Sequence, residues 1–146
     1  CEVLMGTSTA GIAHAALVAD ILNKPMGYVR GSNKSHGRQN RIEGAVREGM
    51  KVVVVEDLIS TGGSSLEVVD ALREAGCEVL GLVAIFTYGL KDSIKNFADK
   101  DCHFVTLSNY DALLPVAVEH NYIKEEALEK LKAWKVDPHD ESWMTK

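Results

Sequence analysis

The sequence predicts an α/β fold, with a mostly parallel twisted sheet flanked by helices. Short β-branched runs alternate along the chain with segments of helical periodicity, the order that places parallel strands between helices. The run at residues 51–56 holds four consecutive valines, which is typical of a strand buried on both faces. A length of 146 residues, with 46% apolar and 25% charged residues, suits one soluble domain.

Apolar, β-branched runs predict the strands. The predicted strands cover residues 3–5, 26–30, 41–46, 51–56, 79–86 and 103–107. The third of them is an edge strand, and Glu48 and Gly49 supply the turn after it. Ligands of such sheets bind beyond the carboxyl ends of the strands. The loops after Met5, Val29 and Val55 are therefore the candidate sites.

Turn and capping residues bound the predicted helices. Pro25 ends the first, because proline cannot continue a helix and restricts its predecessor. Ser64 with Glu67 resembles a capping box for the second helix, and Gly76 suits the position just beyond its end. We expect Trp134 to pack the last helix against the sheet. The predicted helices cover residues 12–22, 64–75, 91–98, a segment capped by Ser108 or Asn109 that ends near residue 121, and 124–134.

Charge and cysteine content exclude several classes of function. A net charge of −5 argues against nucleic acid or anionic lipid as a partner, and the apolar stretches are too short to cross a bilayer. Cys1, Cys77 and Cys102 lack the spacing of a metal or redox motif, which predicts a reducing compartment, the cytoplasm. We expect a core domain at residues 1–136 and a polar tail at 137–146. Because the sequence opens directly on a strand, we also expect it to be a piece of a longer protein.

The loop after the four-valine strand combines two carboxylates with small residues and a helix start. Glycines let backbone N–H groups approach an anion, hydroxyls add donors, and the helix N-terminus adds positive dipole. The carboxylates would repel a phosphate, but they suit sugar hydroxyls or a water on a divalent cation. The pattern predicts a sugar-phosphate site rather than a plain strand–helix turn. Its residues are Glu56, Asp57, Leu58, Ile59, Ser60, Thr61, Gly62, Gly63 and Ser64.

The same stretch, VVVVEDLISTGGS at residues 52–64, resembles the ribose-diphosphate signature of the type I phosphoribosyltransferases. The resemblance implies a Rossmann-like core and a loop that binds 5-phospho-α-D-ribose 1-diphosphate. Ser60 to Ser64 would hold the 5′-phosphate, and Glu56 and Asp57 would face the ribose hydroxyls.

A second loop, residues 30–41, is basic and contains no acid. It would be attracted to a diphosphate and could neutralise charge that grows on a leaving diphosphate, although a solvated surface loop has the same composition. The spacing of Arg30, Lys34, His36 and Gly37 is similar to the catalytic loop of orotate phosphoribosyltransferases, with Gly31 where that pattern has a lysine. The resemblance implies that Arg30, Lys34 and His36 are catalytic and close over the diphosphate.

A third loop, from Gly6 to Gly11, is rich in small and hydroxyl residues and precedes a helix. A second anion site there is physically reasonable, and a tight strand–helix turn explains the residues equally well. The loop also resembles the diphosphate-contacting loop of orotate phosphoribosyltransferases. That resemblance would place Thr7, Ser8 and Thr9 near the diphosphate.

Together the resemblances imply an orotate phosphoribosyltransferase, a glycosyltransferase of pyrimidine nucleotide synthesis that forms orotidine 5′-phosphate and diphosphate. Ser60 matches the family position that meets orotate. Mg²⁺ on the diphosphate is implied, held by substrate and waters rather than by a named protein ligand. A homodimer is also implied, with the loop at residues 30–41 shared across subunits. The family's N-terminal hood over the base has no counterpart in this sequence.

Two alternatives stay open. Thr87 and Tyr88 stand where several family members have an orotate-binding Asp-Arg pair, which leaves room for another base such as a purine. The other alternative is a regulator that senses the ribose diphosphate through the same loop. Such regulators usually carry a nucleic-acid-binding surface, and the net charge of −5 argues against one here.

Overall fold

Strands and helices alternate along the chain and build one twisted sheet, which confirms the predicted fold class. The computed structural model describes residues 1–31 and 41–140. The strands are β1 (Val3–Thr7), β2 (Met26–Val29), β3 (Ile42–Gly44), β4 (Lys51–Ile59), β5 (Glu78–Thr87) and β6 (Phe104–Asn109). Across the described residues the sheet order is β3-β2-β1-β4-β5-β6, and every neighbouring pair is parallel except β2 and β3.

Helices connect the strands and flank the sheet. They are α1 (Ala10–Leu22), α2 (Gly63–Glu74), α3 (Lys91–Asp99), α4 (Tyr110–Glu119) and α5 (Leu128–Val136), with a 3₁₀ turn at Glu125–Ala127. In the part of the chain that the structure describes, no helix combines the length and the apolar character needed to cross a bilayer.

The four-valine strand is buried on both faces, as predicted. Val52 and Val54 belong to the larger core, on the face that α2 and α3 cover. Val53 and Val55 pack on the opposite face with Ala15 of α1. Alternation of side chains along a strand explains this division, because successive residues point to opposite faces.

β4 is longer than its valine run predicts. It pairs with β5 as far as Leu58↔Phe86 and Ile59↔Thr87, so both acids of the signature lie within the strand. The predicted loop at residues 57–63 is therefore shortened to Ser60–Gly62. Pairing with the long strand β5 sets this boundary. The sequence prediction ended the strand at Glu56, because acids and small residues are typical of loops.

The predicted capping box at Ser64 and Glu67 is wrong. α2 begins at Gly63, its N-cap is Gly62, and no side chain caps it. Gly76 does lie just beyond the helix with φ 81°, as predicted. Asn109 caps α4 by accepting a hydrogen bond from Ala112 N at 2.9 Å, which selects one of the two predicted caps.

The sheet order reverses between β1 and β4. From β1 the chain moves outward through β2 and β3, then returns to β4 and continues through β5 and β6 on the other side. Loops at such a reversal diverge to opposite faces and leave a crevice at the carboxyl edge, where ligands of doubly wound sheets bind. The crevice lies between the loops that follow β1 and β4.

Candidate active site at the carboxyl ends of the central strands

Two helices begin side by side at the crevice. β1 and β4 are parallel neighbours, and α1 and α2 follow them after short turns. Neither helix has a side-chain cap or an acid in its first turn. The first-turn N–H groups of a helix have no intrahelical acceptor, and the helix dipole adds positive charge there. The crevice therefore offers two anion sites next to each other.

The turn between β4 and α2 is held against α3. Gly62 has φ 83°, and a Cβ at this position would lie 2.5 Å from a ring carbon of Phe97. The carbonyl of Thr61 accepts a hydrogen bond from Asn96 Nδ2 at 3.0 Å. Ser60, Thr61, Gly63 and Ser64 are exposed around this anchored glycine. The small residues of the signature thus form a fixed turn with an accessible rim.

Glu56 is buried, unlike its neighbours on the rim. Its side chain is 6% exposed and accepts hydrogen bonds from the hydroxyl of Thr7, from Ser65 Oγ at 2.9 Å and from Asp57 N at 3.0 Å. Burial raises the pKa of the Glu56 carboxyl above its ordinary value, and the hydrogen bond from Thr7 opposes that rise. Asp57, next along the strand, is partly exposed.

The three hydroxyl residues after β1 have different surroundings. Thr7 is 3% exposed and turns its hydroxyl inward to Glu56. Ser8 Oγ donates to the carbonyl of Val29 at 2.8 Å and accepts from Gly31 N at 2.9 Å, so it joins the ends of β1 and β2. Thr9 is exposed at the start of α1. A ligand in this loop would meet mainly backbone amides and Thr9.

The basic segment leaves the sheet at the same edge. β2 is parallel to β1, and Arg30 N donates to the carbonyl of Arg41 at 2.8 Å, which closes the base of the segment at residues 30–41. Arg30 forms an ion pair with Glu43 at 2.6 Å. The predicted catalytic residues Lys34 and His36 lie outside the described residues.

Thr87 and Tyr88, at the end of β5 and just beyond it, have contacts within the protein. Thr87 Oγ1 donates to the carbonyl of Ile59 at 3.2 Å, which ties the ends of β4 and β5 together. The ring of Tyr88 lies 5.3 Å from Trp134 and 5.9 Å from Tyr110, centroid to centroid. Trp134 thus packs the last helix against Tyr88, just beyond the end of β5, and against Tyr110, the first residue of α4.

The described residues contain no group of three or more His, Cys, Asp or Glu side chains that could hold a metal ion. At the crevice, Asp57 is partly exposed, whereas Glu56 already accepts three hydrogen bonds. Mg²⁺ usually keeps several waters and binds through one or two carboxylates and substrate phosphates. The donor set fits an ion held mainly by a diphosphate.

Sequence reasoning missed the contribution of Ser65 and the inward role of Thr7. Ser65 lies just beyond the signature, and its side chain is 1% exposed. One signal was present: Thr7 continues the alternation of Val3 and Met5, which places it on the same face of β1 as those two core residues. Nothing in the sequence pairs either hydroxyl with Glu56.

Comparison with known proteins gives one consistent result. The model of the phosphoribosyl transferase domain matches residues 2–121. The chain is 62% identical over 143 residues to the orotate phosphoribosyltransferase of Bacillus pumilus, covering 98% of this chain and 68% of the relative. For the Bacillus subtilis enzyme of the same name, identity is 54% over 145 residues, covering 99% and 67%.

A solved structure agrees. The crystal structure of orotate phosphoribosyltransferase from Aeropyrum pernix matches with a TM-score of 0.72 and 28% identity, covering 84% of this chain and 66% of that one. The chain thus spans about two thirds of the length of these three proteins.

Proposed function

Because this chain belongs to the phosphoribosyl transferase family, we propose that it transfers a 5-phosphoribosyl group to orotate. The donor is 5-phospho-α-D-ribose 1-diphosphate, and the products are orotidine 5′-phosphate and diphosphate, in the synthesis of pyrimidine nucleotides. The relatives at 62% and 54% identity carry the name orotate phosphoribosyltransferase. Their name favours orotate over a purine as the base.

The observation that carries the proposal is the pair of uncapped helices that begin at the crevice, together with the partly exposed Asp57 near the end of β4. The donor has a phosphate at one end and a diphosphate at the other, with a ribose between them. The first turn of α2 and the residues Ser60 to Ser64 suit the 5′-phosphate. The loop after β1, at Ser8 and Thr9, suits the diphosphate. The partly exposed carboxylate of Asp57 suits the ribose hydroxyls.

The chemistry is a displacement at the anomeric carbon through a transition state that resembles an oxocarbenium ion. The residues of this chain hold both ends of the donor, which aligns the anomeric carbon for attack. Arg30, Lys34 and His36 would neutralise the charge that develops on the departing diphosphate. When bound, Mg²⁺ would neutralise further charge on the diphosphate oxygens.

Ser60 is the residue that we propose to meet orotate. It is exposed at the rim of the crevice, directly after β4. Thr87 and Tyr88 have contacts within the protein that bind the ends of the sheet and the last helices. A group other than those two residues would therefore hold the orotate carboxylate.

Assembly and location are further proposals. The family resemblance supports a homodimer in which the segment at residues 30–41 reaches the neighbouring active site. Cys1, Cys77 and Cys102 are free thiols, which agrees with a reducing compartment such as the cytoplasm. The core domain at residues 1–136 is supported by α5, which ends at Val136. Of the proposed tail, residues 141–146 lie outside the described residues.

Isothermal titration tests the sugar-phosphate site. The wild-type chain should bind the donor with Mg²⁺, and Asp57→Ala should weaken that affinity by roughly tenfold or more, because hydrogen bonds to a charged group contribute about 1.5–3 kcal/mol. Asp20→Ala removes an exposed carboxylate from α1 and should leave the affinity unchanged. Equal affinities for wild type and Asp57→Ala would remove the assignment. A parallel activity screen of orotate against adenine, guanine and xanthine would decide the base.

A further inference from the structure

Three buried polar side chains from three different elements meet behind the crevice. We call Glu56, Thr7 and Ser65 the Glu56 cluster. Their exposed fractions are 6%, 3% and 1%. The hydroxyl of Thr7, at the end of β1, donates to Glu56 Oε1, and the hydroxyl of Ser65, in the first turn of α2, donates to Oε2 at 2.9 Å. One carboxylate therefore bridges the two elements that begin the two anion sites.

Burying the Glu56 cluster does not by itself favour the folded state. A buried carboxylate loses its hydration, and hydrogen bonds within the protein repay that cost only in part. An apolar side chain of similar size would fill the same space between β1 and α2. The polar contact is explained if function requires a fixed distance between β1 and α2, even at some cost in the free energy of unfolding.

Each hydroxyl donor lies directly beside a proposed ligand contact. Thr7 is followed by Ser8 and Thr9, the loop suited to the diphosphate. Ser65 is in the turn of α2 whose amides suit the 5′-phosphate. Gly11 keeps this region close, since a Cβ there would overlap the Thr7 hydroxyl and lie 2.5 Å from the carbonyl of Val55.

We propose that Glu56 is a positioning residue that sets the spacing between the two anion sites through Thr7 and Ser65. The inference rests on the proposed function and adds three positioning residues to it. A donor with an anion at each end gains from both sites only when their separation matches its length. Small errors of position at an active site lower rate and affinity strongly. Ligands that carry a single anionic end are indifferent to the separation.

This difference between ligands defines the experiment. Thr7→Val and Ser65→Ala each remove one hydroxyl with little change in volume. The full chain is titrated with three probes: 5-phospho-α-D-ribose 1-diphosphate with Mg²⁺, ribose 5-phosphate, and diphosphate with Mg²⁺. Each variant should weaken affinity for the first probe by roughly tenfold and for the other two by less than about twofold. Thr7→Ser, which keeps the hydroxyl, should restore the affinity of the first probe.

Ser93→Ala is the matched control. Ser93 is 0% exposed and its hydroxyl donates at 2.7 Å, but to the carbonyl of Leu90 at the start of α3, away from the crevice. It should lower the melting temperature to a similar extent and leave all three affinities unchanged. If Ser93→Ala lowered the affinity for the first probe as much as Ser65→Ala does, a general loss of stability would explain the effect. That result would contradict the positioning role.

Two other results would overturn the inference. Unchanged affinity for the two-ended probe in both variants would show that the spacing does not depend on these hydroxyls. An equal loss for ribose 5-phosphate would show that Ser65 acts on one anion site directly. Failure of the proposed function would give a different result, because the wild-type chain would then bind none of the three probes.

Discussion

Glu56 is buried although it lies at the edge where a polar ligand would bind. Its two oxygens are occupied by Thr7, Ser65 and the amide of Asp57. The two adjacent acids of the signature thus differ in exposure. The Asp57 carboxylate is partly exposed, whereas the buried Glu56 carboxylate accepts hydrogen bonds from β1 and α2. Successive residues of a strand face opposite sides, so two neighbouring acids at a strand end have different surroundings.

Glu56→Gln should change the dependence of stability on pH. Burial raises the pKa of Glu56 in the folded chain, so its contribution to stability is present below the ordinary glutamate pKa and is lost as pH rises through the raised value. The free energy of unfolding of wild type should therefore fall relative to Glu56→Gln as the pH rises from the ordinary glutamate pKa into the neutral range. Urea denaturation across that range measures the difference.

Two ionisable side chains near Glu56 are the same in both proteins. They are Asp57, the next residue of β4, and His14 of α1. Glu126→Gln neutralises an exposed glutamate and should show no such divergence. A constant difference between wild type and Glu56→Gln over the whole range would contradict a raised pKa at Glu56.

At the scale of elements, the turn from β4 into α2 decides the shape of the site. β4 runs on to Ile59 because β5 continues beside it, and α2 begins directly after Gly62. The turn has room for three residues, so its backbone must reverse sharply. Only a residue that tolerates positive φ and brings no Cβ can sit against Phe97 at this position.

Gly62→Ala should destabilise the protein more than Gly49→Ala does. The two glycines have nearly the same φ, 83° and 80°, but an added Cβ at Gly49 meets nothing within 4 Å, whereas at Gly62 it meets Phe97 at 2.5 Å. The left-handed backbone should cost each variant about 1–2 kcal/mol, and overlap with Phe97 should add about 1–3 kcal/mol to Gly62→Ala alone. Midpoints of urea unfolding compare the two. Equal losses would mean that Phe97 moves aside freely.

At the scale of the whole molecule, the two faces of the sheet are covered unequally. Among the residues that the structure describes, α2 and α3 cover one face, whereas α1 covers the other mainly near β1, β2 and β4. Beside α1 a groove of about 430 Å³ runs over β5 and β6, lined by Leu17, Val83, Ile85 and Val105 among other apolar residues. Leu107 in this face is 86% exposed. Parallel sheets are usually covered on both faces, so this surface is unusual.

The open face should bind an apolar dye. Anilinonaphthalene sulfonate fluorescence should rise with the folded wild-type chain and fall in the double variant Leu17→Gln, Leu107→Thr, because these changes remove exposed apolar surface from one patch. Tyr122→Gln removes a side chain that is 84% exposed elsewhere and should leave the fluorescence nearly unchanged. Equal fluorescence in all three proteins would show that the dye binds outside this face.

The sequence by itself determined the alternation of strands and helices, the doubly buried valine strand and the family signature, because these depend on local periodicity and on residues adjacent in the chain. It also predicted that the loops after β1, β2 and β4 begin at the same edge of the sheet, since parallel strands end at one edge. Only the tertiary structure decided where β4 stops, that α2 begins at Gly63 with Gly62 rather than Ser64 at its N-cap, and that Glu56 faces Thr7 and Ser65. Those outcomes depend on contacts between residues far apart in the chain, such as Ile59 with Thr87 and Thr7 with Glu56, and no local pattern encodes such a contact.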